Sequence, residues 1–377
     1  MLAFMVSTQY CIYIQLRKTS MPEKHLTQRM THKGRGTQGN PPNRFAALKL
    51  ALDEEIENSS TVTECRPVKV GKIISRNTSP DVPFSQSINP YQGCEHGCVY
   101  CYARPSHAYL DLSPGLDFET RLTCKPEAAH ALRRELSRPG YRCQGITLGA
   151  NTDPYQPVEK NLGITRQLLE VMLETRHPVA LITRSPLITR DLDILKELAQ
   201  MGLCSVAMSV TTLDDELKRK LEPRAPSGRA RLKAMAQLCS AGIPVSLLAA
   251  PMIPAINDRE MENIVAAAAA AGATNAAYIL LRLPLEVSQL FQEWLEQHYP
   301  LRAQHVMSLL RQSRGGRDND PRFGYRMRGE GEFAALLAQR FKLACKRHGL
   351  SEGEVRGGRT DLFTPPCAGG DQFDLFS

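Results

Sequence analysis

Ile88 to Tyr109 reads I-N-P-Y-Q-G-C-E-H-G-C-V-Y-C-Y-A-R-P-S-H-A-Y. It places three thiols, Cys94, Cys98 and Cys101, in one tight loop with spacing C-x3-C-x2-C. A structural zinc site wants four ligands, usually as two paired knuckles. No second Cys pair and no His-x3-His run completes one here. Three thiolates suit an iron–sulfur cluster that leaves one iron without a protein ligand. Gly93 and Gly97 fit that arrangement, because glycine lets the backbone turn with φ > 0 and pass close to a cluster. Loop amides can then point at the sulfurs. Tyr100 and Tyr102 flank Cys101 and can offer a flat face to a planar ligand.

The string Cys94-x3-Cys98-x-Tyr100-Cys101 resembles the signature of radical SAM enzymes. The wider run G-C-E-H-G-C-V-Y-C-Y-A-R-P-S-H is similar to the branch of that superfamily related to spore photoproduct lyase. The likeness extends from about Lys33 to the C-terminus, and uncharacterised bacterial radical SAM proteins of that branch match best. The resemblance implies a 4Fe-4S cluster on Cys94, Cys98 and Cys101, with S-adenosylmethionine (SAM) chelating the open iron. It implies reductive cleavage of SAM to a deoxyadenosyl radical, and a flavodoxin- or ferredoxin-like electron donor as partner. The cofactor carries the hard chemistry, and the protein supplies orientation, electrostatics and exclusion of water.

The 377 residues suffice for one large α/β domain with appendages. Eleven Cys without regular pairing do not form a disulfide framework. They point to a reducing compartment, the cytoplasm. The net charge of +8 is unevenly placed. Residues 1–50 hold eight Lys/Arg against one acid, and residues 301–360 hold thirteen against six, so each stretch carries +7. Basic flanks around a near-neutral middle suggest a polyanionic partner such as nucleic acid, though basic ends also serve solubility. No run of 18 apolar residues appears, so no membrane-spanning helix is expected. Met1 to Leu16 lacks a basic start and a small-residue cleavage site, and is not read as a signal peptide. With Met21 and Met30 as alternative starts, residues 1–29 are expected to be a disordered extension or not part of the natural protein.

Three regions are expected: a basic, largely disordered extension (1–62), a radical SAM core (63–285), and a C-terminal region with a flexible tail (286–377). In the extension, Lys33-Gly34-Arg35-Gly36 can grip a phosphate backbone or form a solvated tail. Val68–Ser75 reads as extended. Beyond the cysteines, helix and strand patterns alternate. Helices are predicted over 127–137, 164–175, 191–201, 228–241 and 258–271, and strands over 145–148, 179–183, 204–210, 243–249 and 277–283. Such alternation means βαβ units and a parallel sheet. The resemblance implies a partial TIM-like (βα)6 barrel, an α/β fold whose site lies at the C-terminal ends of the strands.

Those ends supply the candidate SAM ligands. Asn151, Thr152 and Asp153 follow the second strand, where relatives contact the SAM amino group; a turn built by Asn, Asp and Pro is the plain alternative. Arg184 follows the third strand as a fixed cation for SAM or substrate. Ser209-Val210-Thr211-Thr212 follows the fourth, with hydroxyls suited to a ribose. Leu221-Glu222-Pro223-Arg224 resembles the branch's Glu-x-Arg-x-Pro segment, so Arg224 is the candidate fork for the SAM carboxylate. Arg229 and Arg231 are expected to face solvent. Ile253 and Pro254 can back the adenine, and Asn257 or Asp258 can cap a helix.

In the C-terminal region, helices are predicted over 286–299 and 332–348. Trp294 is expected in the core. Arg311 to Arg328 interleaves basic residues with Phe323 and Tyr325, a pattern that single-stranded nucleic acid binding uses; a substrate lid is the rival reading. The chain ends Gln372-Phe373-Asp374-Leu375-Phe376-Ser377, which resembles a docking peptide for the bacterial replication sliding clamp. A tail folded back onto the barrel is the competing expectation. The likeness also bounds the reaction. Spore photoproduct lyases use a Cys on the second strand as hydrogen donor, and motif placement puts Asn151 there. An amide cannot donate a hydrogen atom as a thiol can, which argues against photoproduct reversal. An unidentified nucleic-acid or protein modification, with DNA repair or modification among the possibilities, is then the leading expectation within the enzyme class. A binding module with a structural metal site is the alternative from another class.

Overall fold

Six parallel strands follow one another in chain order across the main sheet: β3 (Gln86–Ile88), β6 (Ile146–Leu148), β7 (Val179–Thr183), β8 (Cys204–Ser209), β9 (Val245–Met252) and β10 (Asn275–Leu280). β2 (Ser75–Arg76) adds antiparallel to β3, and β11 (Ser351–Glu352) adds parallel to β10. The order is β11-β10-β9-β8-β7-β6-β3-β2, with no pairing between the two edges among the described residues. The sheet is a partial TIM-like barrel, open on one side. The computed structural model describes residues 34–37, 39–41, 43–44, 62–353 and 358–366, all within the unit His32–Ser377. The first 33 residues, the charged stretch before residue 62, and the Gln372–Phe376 segment expected to dock on a clamp lie outside them.

A second, three-stranded sheet in the order β1-β5-β4 is built from β1 (Glu64–Pro67), β4 (Tyr91–Gln92) and β5 (Arg121–Cys124). The helices are α1 (Asp117–Thr120), α2 (Ala128–Leu136), α3 (Glu159–Leu162), α4 (Ile164–Glu174), α5 (Leu192–Gln200), α6 (Asp215–Leu221), α7 (Gly228–Ser240), α8 (Met261–Ala270), α9 (Glu286–His298), α10 (Ala303–Gln312) and α11 (Gly331–His348). α4 shows why the pattern was readable. Ile164, Leu168, Val171 and Met172 recur at helical spacing and are buried. Two helix starts carry side-chain caps: Asp214 accepts from the Glu216 and Leu217 amides, and Ser227 from Ala230.

The strands alternate for a different reason. In β7, Val179, Leu181 and Thr183 are buried, while Ala180 and Ile182 are half-buried. The second pair borders a cavity of about 140 Å³, along with Thr147, Ser205, Ala207 and Ser246. A closed TIM barrel fills its interior with bulky branched side chains. Here the bordering side chains are mostly small, and space is left inside the sheet.

Several expected bounds shift. β9 begins two residues later than predicted and runs on to Met252. The helix predicted over 258–271 opens as a separate 3₁₀ turn, Asp258–Glu260. Within Val68–Ser75, expected to be extended, only Ser75 joins a strand. The three-stranded sheet, α6 and α10 were not anticipated. Trp294 is core as expected, 3% exposed, stacked on Phe291 and donating its indole N–H to the Lys220 carbonyl at 2.9 Å.

Residues 358–366 strap the face opposite the C-terminal strand ends. The Arg359 amide donates to Gly202 O at 3.2 Å and the Thr364 amide to Thr175 O at 2.9 Å. Phe363 meets Tyr141 and His177, with ring centroids 5.5 and 5.4 Å away. The His177 imidazole is fully buried. Its Nε2 lies 2.8 Å from Tyr141 Oη and its Nδ1 3.0 Å from Pro178 O. Burial lowers its pKa to about 4, the Pro178 carbonyl opposing. Below the ordinary value of 6.5 the unfolded chain therefore takes a proton that the folded chain refuses until about pH 4. Stability is lost as pH falls through that window. Between pH 7 and 5 the wild type should lose about 2 kcal/mol more than His177→Gln. Urea denaturation midpoints at the two pH values check this; equal losses in both proteins would refute it.

Candidate functional site

β3 ends at Ile88, and the chain then enters the loop that carries Cys94, Cys98 and Cys101. The loop is fixed by its backbone. The Cys94 amide donates to Phe118 O at 2.9 Å, Glu95 to the Gln156 side chain at 3.0 Å, and Val99 to Leu221 O at 3.1 Å. The amide of His96 points at the Cys94 sulfur. Gly93 and Gly97 have φ of 78° and 67°. A Cβ at Gly97 would also fall 2.8 Å from the Glu119 carboxylate, so a side chain there is excluded twice over.

Arg104, which no sequence pattern singled out, holds the loop from beneath. It is fully buried. Its Nε donates to Cys98 O at 2.9 Å, its Nη1 to the Pro114 and Gly115 carbonyls, and its Nη2 to Glu119 at 2.6 Å. Glu119 also accepts from the Gly36 amide at 3.0 Å and Thr37 Oγ1 at 3.3 Å. Arg35 donates to Glu119 O and Thr63 Oγ1 and is only 5% exposed. The expectation that Arg35 grips a phosphate backbone is therefore corrected: its guanidinium is spent inside the fold.

Cys94 and Cys98 are buried and Cys101 partly so, all three as free thiols. Burial pushes the Cys98 thiol up to about 12, with Arg184 opposing, and raises Cys94 well above its usual range. Thiols of this kind lose their protons to a metal rather than to water. Among the described residues, no three His, Cys, Asp or Glu side chains are grouped to hold one metal ion. A multi-iron cluster gives each thiolate its own iron, so it fits thiols spread around a loop better than a single-ion site does.

One buried ionic network faces Cys98. Arg184, one residue past β7, places Nη1 3.0 Å from Cys98 Sγ, 2.8 Å from Tyr100 Oη and 2.6 Å from Glu222 Oε1. Glu222 is fully buried and accepts from Tyr100 Oη, from Thr211 Oγ1 at 2.7 Å and from Arg231. Burial opposes the Glu222 charge, but Arg231 and Arg184 outweigh it and hold the carboxyl far below the usual range. Arg231, expected to face solvent, is 1% exposed and also donates to Ser209 O at 3.1 Å and Pro226 O at 3.0 Å. That correction has a simple cause: α7 turns this side chain inward, and Glu222 neutralises it there.

The other expected site residues divide. Asp153 accepts from Thr183 Oγ1 at 2.6 Å and from the Arg184 amide at 2.9 Å, so it fixes the backbone beside Arg184. His96 Nδ1 lies 3.5 Å from Asp153, but burial lowers the imidazole to about 4, so it is neutral and the contact is not an ion pair. Thr152 Oγ1 donates to Tyr91 O at 2.8 Å, and the Asn151 amide donates to Asn89 at 2.9 Å. Ser209 Oγ donates to Ala250 O at 3.3 Å. Ile253 is buried in one apolar cluster with Cys98, Val99 and Tyr100. Arg224 stands apart: it pairs with Glu95 at 3.0 Å and its side chain is 35% exposed. Asn257 does not cap a helix. Its side chain bridges the Ile253 amide at 2.6 Å to the Thr211 and Pro251 carbonyls.

Residues 88–268 match the family model described as the radical SAM superfamily. An uncharacterized protein of Mycobacterium tuberculosis (strain ATCC 25618 / H37Rv) is 36% identical over 221 residues, covering 58% of this chain and 65% of its own length. The chain thus spans just under two thirds of that relative. A spore photoproduct lyase variant superposes with a TM-score of 0.56 at 15% identity, over 76% of this chain and 81% of that one. A spore photoproduct lyase complexed with dinucleoside spore photoproduct gives 0.54 at 15% identity, over the same shares. No helix among the described residues is long and apolar enough to cross a membrane. The three-thiol loop, the open parallel barrel that carries it and the family match agree: residues 88–268 match the radical SAM superfamily, and the chain shares the fold of spore photoproduct lyase.

Proposed function

We propose that this protein is a radical SAM enzyme that acts on nucleic acid, with a 4Fe-4S cluster held by Cys94, Cys98 and Cys101. The observation that carries the reading is the placement of three free thiols in one loop at the C-terminal mouth of an open six-stranded parallel barrel. When bound, the cluster and SAM together supply a carbon radical able to remove a hydrogen atom from a substrate. The chain's own residues hold and orient. Arg184 and Asp153 form the polar wall beside Cys98, for the charged end of SAM. Tyr100, its hydroxyl tied to Glu222, and Ile253 form the apolar side. Ser209, Asn151 and Thr152 line neighbouring strand ends, and Arg224 binds from the rim. A flavodoxin- or ferredoxin-like protein would deliver the electron.

Nucleic acid is favoured by the +7 charge of residues 301–360 and by the exposed rings of Tyr102, Phe323 and Tyr325. Thiol-mediated photoproduct reversal is not favoured. Asn151 stands at the donor position. Cys143 lies before β6, at the opposite end of the strand from the mouth, and Cys124 is buried at the end of β5. The test is anaerobic reconstitution, then dithionite and SAM. A brown protein that forms deoxyadenosine is expected, and deuterium from labelled DNA or RNA should appear in it. A colourless protein with stoichiometric zinc and no deoxyadenosine would overturn the reading.

A further inference from the structure

We propose that the barrel mouth holds an anion subsite centred on Arg282, which takes a backbone phosphate of a single-stranded nucleic acid; this rests on the nucleic-acid reading above. Arg282 lies two residues beyond β10, at the end of the barrel that carries the cysteine loop. Its guanidinium stacks 5.4 Å from the Tyr102 ring centroid, and Tyr102 directly follows Cys101. Tyr102 also donates to Ala150 O just past β6, so ring and guanidinium sit together over the mouth.

The arginine lacks what the two arginines near it have. Arg326 is paired with Asp81, and Arg314 donates to the Tyr325, Arg326, Leu280 and Leu281 carbonyls. Arg282 has no carboxylate within ion-pair distance among the described residues. Its one hydrogen bond there is from Nη1 to the Met327 sulfur, a weak acceptor, at 3.3 Å. Its Nε is buried with no acceptor at all. A guanidinium stays charged in a protein, and leaving it partly desolvated without a counter-ion is costly. Burial and the nearby Arg326 both work against its charge, with Tyr102 and Asp81 only partly offsetting them. A fold tolerates such a group where a ligand brings the anion.

The surroundings select the kind of anion. The Arg326–Asp81 pair joins the segment after α10 to the turn before β3, across the open side of the barrel. Beside it Phe323 is 57% exposed and Tyr325 44%, each with an arginine over its ring, at 4.8 and 4.6 Å. Exposed rings backed by cations accept stacked bases without regard to sequence. A phosphodiester offers two oxygens to a guanidinium fork. A buried phosphate site beside stacking faces suits a single strand laid along the seam, with its target nucleotide led into the mouth.

The test uses the full chain, anaerobically reconstituted, and a fluorescein-labelled single-stranded oligodeoxynucleotide read by anisotropy. Arg282→Gln should weaken binding about tenfold and lower the salt slope by about 0.7. Arg282→Lys, which keeps the charge and loses the fork, should fall between Arg282→Gln and wild type. Arg133→Gln removes a surface charge on α2 and should shift affinity by less than about twofold. A peptide nucleic acid of the same sequence, without phosphates, should bind wild type no better than the oligonucleotide binds Arg282→Gln. Equal binding by wild type and both Arg282 variants would overturn the subsite, as would an acidic peptide displacing the oligonucleotide at equal concentration. If wild type forms deoxyadenosine yet binds no oligonucleotide, the subsite fails and the radical SAM reading stands. If binding depends on Arg282 and no deoxyadenosine forms, the subsite stands and the radical SAM reading fails.

Discussion

Cys98→Ala is expected to give a folded protein that retains no iron–sulfur cluster. The reason is coordination rather than packing. Two thiolates cannot hold a cluster that three were placed to hold, so iron and visible absorbance should fall to background. The fold should survive, because the substitution removes a single buried sulfur, a loss of about 1 kcal/mol. The loop is secured independently of that sulfur, by Arg104 on the Cys98 carbonyl and by the Val99 amide on Leu221. Cys94→Ala and Cys101→Ala should behave alike. Cys65→Ala, Cys204→Ala, Cys239→Ala and Cys345→Ala should keep full iron, since β1, β8, α7 and α11 hold those residues outside the loop. Iron per chain and the visible spectrum, measured after anaerobic reconstitution, decide the matter. Full iron in Cys98→Ala would remove the cluster assignment, and loss of iron in Cys204→Ala would show that the effect was general unfolding.

The parts of the fold that a reader of the sequence could find share one property: local periodicity. α4 and α5 are each amphipathic over more than two turns, and β7 is a short apolar run between polar turns. Their type was therefore clear, and only their ends moved. β1, β4 and β5 have two to four residues each, too few for a pattern to emerge from background. The site shows the same division. The proposed cluster loop, Cys94, Cys98 and Cys101 with Gly93 and Gly97, stands out in the sequence because a cluster would need thiols at such spacing and the turns need glycine at positive φ. The ionic network behind them is not. Arg184 and Glu222 are 38 residues apart, and Tyr100 and Glu222 are 122 apart. In Leu221-Glu222-Pro223-Arg224 the eye goes to the arginine as a carboxylate fork, yet the fold buries the glutamate and leaves Arg224 half-exposed on Glu95. Arg231 reads as one of several surface charges opening a helix. Only the three-dimensional meeting of α7 with the end of β8 reveals it as a buried counter-ion.

That network carries the largest expected effect on stability. Glu222→Gln keeps the volume of the side chain and removes its charge. Two guanidiniums then lose their shared counter-ion, with side chains only 1% exposed for Arg231 and 20% for Arg184. Breaking a buried pair in this way costs about 3–5 kcal/mol, because the charge left behind is neither solvated nor paired. Two neutral contacts also change character. The Tyr100 and Thr211 hydroxyls lose a charged acceptor, and Tyr100 no longer has a fixed anchor behind its ring. The double variant Glu222→Gln with Arg231→Met separates charge from shape. Removing the more buried of the two cations along with the anion should recover a large part of the loss, since a buried ion pair contributes far less in sum than either ion costs alone. Urea denaturation of the metal-free chain under anaerobic, reducing conditions reads this directly and leaves cofactor loading out of the comparison. Midpoints that are unchanged in Glu222→Gln, or a double variant that falls by the full sum of the two single losses, would show that Glu222 is not the common counter-ion of Arg184 and Arg231. Recovery in the double variant would establish that the wall beside Cys98 is held in place by charge balance, with Arg184 presented toward the thiol because Glu222 and the Asp153 carboxylate leave it no other low-energy position.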